Sequence, residues 1–578
     1  MKPSRTLVSL LALFGLILPT RADVMMPMIF GDHMVLQAGV KIPFWGKASP
    51  GETVTVSLGD DHAQATADDA GKWKLQLDPQ PASTTPTSVT VHGHNSITFG
   101  DVLVGDVWLD SGQSNMQMGM NKTVNGHDEI EQGDHPLIRV FTVPWVNSFT
   151  VQDEMAQPKG PNDLMGRWRV CTPEVLAKDG WNGFSAVAYF FGREIQEKTQ
   201  KPVGLINAAY LGQPAESFIS LDVLKSKPEF DVYVKRFERI RAQAAVDREN
   251  YPVAKAAFDK EQAAWDARYG AEYRKRMSEW AAASDQAARE HQPQPPAPSV
   301  PAPRPKSPPD GTPPLHTPST VYNAMIHPIV SYAIRGAIWY QGESNTDYPF
   351  DYDKLMTTLI SEWRGEWNQA DFPFLVAQLP NMGNPLKFPA EPGNGWANLR
   401  EKQFNILKLP NTGLAVTMDL GGGDSTHPAD LHPTDKQDVG HRLALVARRM
   451  VYGESIESWG PLYDSMTVEG SSIRIKFTHA QGLHLGPRPK LVDPSQSVPA
   501  EIPCFAVCGA DQKWVKAHAK IDGETIVVSS EKVTAPVAAR YAWGAGPLCY
   551  LFNGDGLPMS PFRTDTADER AFAHKQKE

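Results

Sequence analysis

At 578 residues, 41% of them hydrophobic and 21% charged, the chain is long enough for several domains and has the composition of a globular protein. Its formal net charge of −10 excludes an electrostatically driven nucleic-acid partner. That balance leaves the sign of a small substrate open, because a few local cations suffice to hold an anion.

In chain order, Lys2 and Arg5 precede the apolar run Leu7 to Leu18, and Thr20-Arg21-Ala22 supplies small residues before Asp23. Residues 1–22 therefore read as a cleaved signal peptide, and the expected location is periplasmic or secreted. The run is too short to cross a bilayer and no later stretch reaches ~18 apolar residues, so no membrane span is expected. Residues 23–100 alternate, as in Thr53-Val54-Thr55-Val56-Ser57-Leu58, and are broken by Pro50-Gly51 and Gly71, which predicts a small β-sandwich.

Residues 101–455 alternate strand-like with helix-like runs. Val102 to Leu109 reads as a strand, Ala186 to Glu197 as a helix before the strand Val203 to Asn207, and Tyr352 to Trp367 as a helix before Phe374 to Gln378. Lys436 to Met450 reads as a further helix. This is the pattern of an α/β fold, a parallel sheet covered by helices.

An insertion at about 228–314 interrupts it. Its first part is alanine-rich and of mixed charge, and the spacing of Trp265, Tyr269, Tyr273 and Trp280 predicts an amphipathic helical hairpin. The proline-rich part from His291 to Pro314 reads as an extended linker. The insertion is either a surface feature without a catalytic role or an overhang of the crevice. Residues 456–578 return to short strands, Ser472 to Phe477 and Thr525 to Ser530, and form a second β domain with a charged tail. Cys171, Cys504, Cys508 and Cys549 allow three full pairings, among which the sequence does not choose, or buried thiols.

Three strand-end loops carry chemistry-bearing residues. In Trp108-Leu109-Asp110-Ser111-Gly112-Gln113-Ser114-Asn115-Met116, Gly112 turns the chain sharply after a strand and exposes Ser114, the candidate nucleophile. A serine hydroxyl needs an imidazole to take its proton and a carboxylate to orient that imidazole. Asp430-Leu431-His432-Pro433 supplies both from one segment. Asp424 and His427, just upstream, compete for those roles and raise a metal-site alternative that no ligand spacing supports. The third loop, Trp339-Tyr340-Gln341-Gly342-Glu343-Ser344-Asn345, clusters amides and a carboxylate, and Gly212 ends a fourth strand-like run. In an open α/β sheet such strand ends converge on one crevice.

The combination of Gly-Gln-Ser-Asn-Met, Trp-Tyr-Gln-Gly-Glu-Ser-Asn and Asp-x-His-Pro resembles the sialate O-acetylesterase family, a branch of the SGNH hydrolases. The resemblance extends to Phe30-Gly31-Asp32-His33-Met34-Val35-Leu36-Gln37, Gly71-Lys72-Trp73, Arg540-Tyr541-Ala542-Trp543 and Gly556-Leu557-Pro558-Met559-Ser560-Pro561-Phe562-Arg563-Thr564-Asp565. It implies an SGNH-type, flavodoxin-like parallel sheet flanked by two β domains. It further implies a serine esterase acting on an acetylated carbohydrate, with no cofactor and no metal. Ser114 would be the nucleophile, His432 the base and Asp430 its orienting acid. The N–H groups of Ser114 and Gly212, with a side-chain amide from Gln341 or Asn345, would form the oxyanion hole, and Asn115 and Glu343 would contact substrate. Tyr210-Leu211-Gly212-Gln213 departs from the family's Trp-Gly-Gly-Thr type of loop. The sugar is therefore open between an acetylated sialic acid and a polysaccharide such as acetylxylan. A noncatalytic glycan-binding protein is the alternative from another class, and oligomeric state is not legible.

Overall fold

A computed structural model describes residues 23–158, 164–290, 292, 295–383, 388, 390, 393–421, 431–486, 501–548 and 550–570. Its centre is a sheet in the order Thr412–Ala415, Phe374–Ala377, Gly336–Tyr340, Ser96–Gly112, Val203–Ala209, His135–Thr142, Arg169–Cys171. Every neighbouring pair is parallel except the last. Without the two outermost strands after Val203–Ala209, the chain-order numbering across the sheet is 2-1-3-4-5, the flavodoxin-like order. In that order the crevice lies beyond the carboxyl end of the first strand, where its two neighbours leave in opposite directions. Ser114 follows that strand.

These strands are apolar along their length because helices cover both faces. On one face Ala186–Thr199 and Lys436–Met450 share a core with Trp108, Leu205 and Ile338. On the other, Tyr352–Trp367 and Gly395–Phe404 pack with Leu109, Trp339 and Val376. Each fully buried aliphatic or aromatic side chain in these layers contributes roughly 1.5–3 kcal/mol. Helix starts are capped locally: Ser185 accepts from the Ala188 N–H, and Asp435 from that of Asp438.

The strand Ser96–Gly112 is shared. Its first half pairs antiparallel with Ser83–His92 and parallel with Val35–Gln37, and its second half with Val203–Ala209 and Gly336–Tyr340. Asp101, at φ 51°, kinks it, and Arg139 and His33 hold the Asp101 carboxylate at 2.6 and 2.7 Å. A two-stranded sheet, Ile42–Lys47 with Lys72–Leu77, closes the same N-terminal core. The C-terminal sheets enclose a third core that takes in Val416 and Met418 from beyond the last central strand.

The insertion is helical from Asp231 to Arg289, with a π-helical turn at Asp266–Gly270 where a hairpin would need a loop. The expected hairpin does not form, because the proline-rich segment occupies the aromatic stripe that a second helix would have covered. Trp280 donates its indole N–H to Pro295 O at 2.8 Å, Trp265 to Ala302 O at 3.2 Å, and Arg248 donates to Gly311 O at 3.0 Å. The Arg304 guanidinium lies 4.8 Å from the ring centroids of both Trp265 and Tyr273. From Arg248 to Trp280 an α-helix rises about 48 Å, and from Pro295 to Gly311 a polyproline chain extends about 50 Å. The strap matches the helix in length as well as in contacts.

Among the described cysteines, Cys171, Cys504 and Cys508 carry free thiols, so the Cys504–Cys508 bridge is not made; Cys549 lies outside the described residues. No helix among the described residues is long and apolar enough to cross a membrane.

Candidate active site

Gly112 takes φ 133°, and a Cβ there would stand 2.2 Å from Tyr340 O, so the turn before Ser114 requires glycine. The Gln113 N–H donates to Tyr340 O at 3.0 Å and the Tyr210 N–H to Gly112 O at 3.0 Å, which locks the turn between both neighbouring strands. Ser114 then opens the short helix Ser114–Gln117. His432 Nε2 lies 2.8 Å from Ser114 Oγ, and the Trp181 ring backs the imidazole edge-on at 5.6 Å between centroids. That is hydrogen-bond reach for moving the serine proton. Asp430, with Asp424 and His427, lies outside the described residues.

Asn115 is fully buried, and its side chain ties three parts of the site together. Its amide donates to Leu431 O at 3.0 Å and to the Glu343 carboxylate, and its carbonyl accepts from Lys436 Nζ. Glu343 is itself buried, and burial raises its pKa against the opposing hydrogen bond from Asn115. Asn115 and Glu343, expected to touch substrate, are thus joined to each other, and Asn115 anchors the residue next to His432.

The amides of the 341–345 loop bond to one another and to neighbouring loops. Gln341 is fully buried, and its NH2 faces Asn345 Oδ1 at 2.7 Å, Gln113 Oε1 at 3.1 Å and Gln213 O at 3.3 Å. Asn345 donates to Glu216 Oε2 at 2.9 Å and accepts from the Ala215 N–H at 3.0 Å. Both amides are engaged by protein groups because a buried donor left without an acceptor costs about 1–3 kcal/mol. Among the described residues, no hydrogen-bond acceptor meets the backbone N–H of Ser114 or of Gly212. Gly212 sits at φ 67°, and the Ser344 hydroxyl holds its carbonyl at 2.9 Å. Leu211 turns outward and is 36% exposed, while Gln213 turns inward and accepts from the His316 N–H at 3.2 Å.

A cleft of about 700 Å³ opens beside His432, with Asn121, Lys122, Trp181 and Asn182 in its walls and Gln292 of the insertion at its edge.

Residues 313–449 match the family described as carbohydrate esterase, sialic acid-specific acetylesterase. The chain is 28% identical over 567 residues to the sialate O-acetylesterase of Mus musculus, covering 92% of each chain. To that of Homo sapiens it is 27% identical over 574 residues, covering 93% of this chain and 92% of the relative. A carbohydrate acetylesterase of Xanthomonas citri superposes with a TM-score of 0.69 at 29% identity, over 94% of this chain and all of the other. Over nearly its whole length the chain is thus similar to sialate O-acetylesterases and to a carbohydrate acetylesterase. Within this acetylesterase, sequence reasoning passed over Lys436, Trp181 and Arg236. Only the aromatic Trp181, beside Gly180 and Gly183, carried a local signal. Lys436 reads in the sequence as a helix start, and Arg236, which pairs with Glu216, lies in the insertion, far in sequence from the strand-end loops.

Proposed function

We propose that this chain is a serine esterase that removes O-acetyl groups from carbohydrates, with an O-acetylated sialic acid as its substrate. The 2.8 Å contact between Ser114 Oγ and His432 Nε2 carries the proposal. Ser114 attacks the acetyl carbonyl while His432 takes its proton. The N–H groups of Ser114 and Gly212 receive the charge that develops on the carbonyl oxygen. The imidazolium then protonates the leaving sugar oxygen, giving an acetyl-serine and a free sugar hydroxyl. Water, deprotonated by His432, hydrolyses the acetyl-serine to acetate and restores Ser114. Asp430 is assigned the orienting carboxylate on the sequence motif. Gln341 and Asn345 are assigned to holding the turn of Gln113 rather than to the oxyanion. Residues 1–22 are read as an export signal, which would put the enzyme in the periplasm or outside the cell.

Acetate release from 9-O-acetylated N-acetylneuraminic acid and from acetylxylan, measured side by side, tests the substrate. Faster turnover of the acetylated sialic acid is expected, and preference for xylan overturns that assignment. Ser114→Ala should keep its circular dichroism spectrum and lose at least ~10³ in turnover. Near-normal hydrolysis by the folded variant overturns the serine mechanism.

A further inference from the structure

The cleft beside His432 has a charge pattern of its own. Among the described residues no carboxylate lines it, although Asp and Glu outnumber Lys and Arg in the chain by 66 to 56. Its walls present Lys122, His127, Asn121 and Asn182, with the Trp181 ring beside the catalytic imidazole. Lys122 is half-buried and ends the turn Met120–Lys122.

That turn is registered against the catalytic residues from both sides. The Asn121 N–H donates to Asn182 O at 3.0 Å and the Gly119 N–H to Trp181 O at 3.0 Å. Just after Lys122, the Thr123 hydroxyl and the Val124 N–H both donate to Thr434 O, at 2.7 and 2.9 Å, two residues beyond His432. The backbone that carries Lys122 is therefore tied to the segment that carries His432. In a net-negative protein an anion is repelled in general, so its entry depends on local cations such as Lys122 in this cleft.

We infer that Lys122 is the specificity-determining cation of this cleft, and that it holds the carboxylate of an acidic sugar while Ser114 attacks the sugar's acetyl group. The inference rests on the deacetylase reading for its role in turnover. The recognition step stands separately, since a carboxylate bound by an ammonium in a partly desolvated cleft forms a charge-assisted hydrogen bond whether or not an ester is present. A neutral sugar of the same shape forfeits that bond.

Calorimetric binding to the full chain separates the two. In a Ser114→Ala background, N-acetylneuraminic acid should bind more tightly than its methyl ester, in which the carboxylate is neutralised. Adding Lys122→Met should weaken the acid at least ~10-fold and leave the ester's affinity unchanged, while Lys122→Arg should keep the acid within ~3-fold. Equal binding of acid and ester, or no loss for the acid in Lys122→Met, overturns the inference, as does absence of acid binding at millimolar concentration. A failure of the deacetylase reading would show instead as absent acetate release by the wild-type chain, with these affinities unaffected.

Discussion

Replacing Asn115 by alanine tests how His432, the proposed base, is held in place. The substitution removes a donor to Leu431 O, a donor to the buried Glu343 carboxylate and an acceptor for the fully buried Lys436 ammonium. A neutral hydrogen bond contributes about 1 kcal/mol and one to a charged group about 1.5–3 kcal/mol. With partial relaxation around the smaller side chain, the expected loss is about 3–5 kcal/mol. It would appear as a lower urea midpoint with an unchanged slope. The folded remainder should also turn over a chromogenic acetate at least ~10-fold more slowly, with kcat carrying the loss, since the residue preceding His432 loses its anchor. Asn115→Asp separates the effects: it retains an acceptor for Lys436 but replaces both donors with a charge facing Glu343, so it should lose activity as Asn115→Ala does. A variant within about 0.5 kcal/mol of wild type and within twofold in kcat refutes this account of the anchor.

Glu362 is almost fully buried, and burial raises its pKa to about 7 against the hydrogen bond from Ser220. A folded-state value above the unfolded one means that the native state binds more protons, so this group's contribution to stability falls as pH rises from about 4.5 to about 7. Glu362→Gln should therefore be more stable than wild type at pH 8, by up to about 3 kcal/mol, and should lose that advantage near pH 4.5 in urea titrations. The same advantage at both pH values would refute the burial argument. Arg236→Met removes the insertion's partner of the buried Glu216, which in turn holds Asn345. Its kcat on a chromogenic acetate should fall ~10-fold with KM little changed, and unchanged kinetics would place the insertion outside the network of the site.

What the sequence made legible was local. The strand ends Gly112 and Tyr340, the helices Tyr352–Trp367 and Lys436–Met450, and the Ser114–His432 encounter all follow from short patterns of apolar periodicity, turn residues and catalytic residue types. The buried amide network was not legible. Asn, Gln and Glu in a loop look equally suited to binding a sugar or to holding one another, and only the neighbouring loops decide which. The sequence reading also divides the chain at residue 100, where Gly100-Asp101 has the appearance of a break. The strand Ser96–Gly112 instead runs through that point with a left-handed residue inside it, because Arg139 and His33 stabilise the kink. In the insertion the aromatic period marks one helical face. The partner of that face is a polyproline strap and not a second helix, and such a strap shows no periodicity that would mark it as a packing element.

The order of the strands explains why the base needs such an anchor. Ser114, Gly212 and Gln341 leave the ends of three adjacent strands, so the sheet's own hydrogen bonds register them. His432 arrives after Thr412–Ala415, three strands from Ser96–Gly112 at about 4.8 Å per strand, and must come back roughly 14 Å across the sheet's edge to reach the serine. Among the described residues of that return, no ladder hydrogen bond holds His432 to the sheet. Among the described residues three contacts do the work: Asn115 on Leu431 O, Thr123 and Val124 on Thr434 O, and the Trp181 ring against the imidazole. Two of these come from the helix and turn just after the nucleophile. The segment that carries Ser114 thus also positions His432, and a change in either loop should disturb the Ser114–His432 contact before it disturbs the sheet.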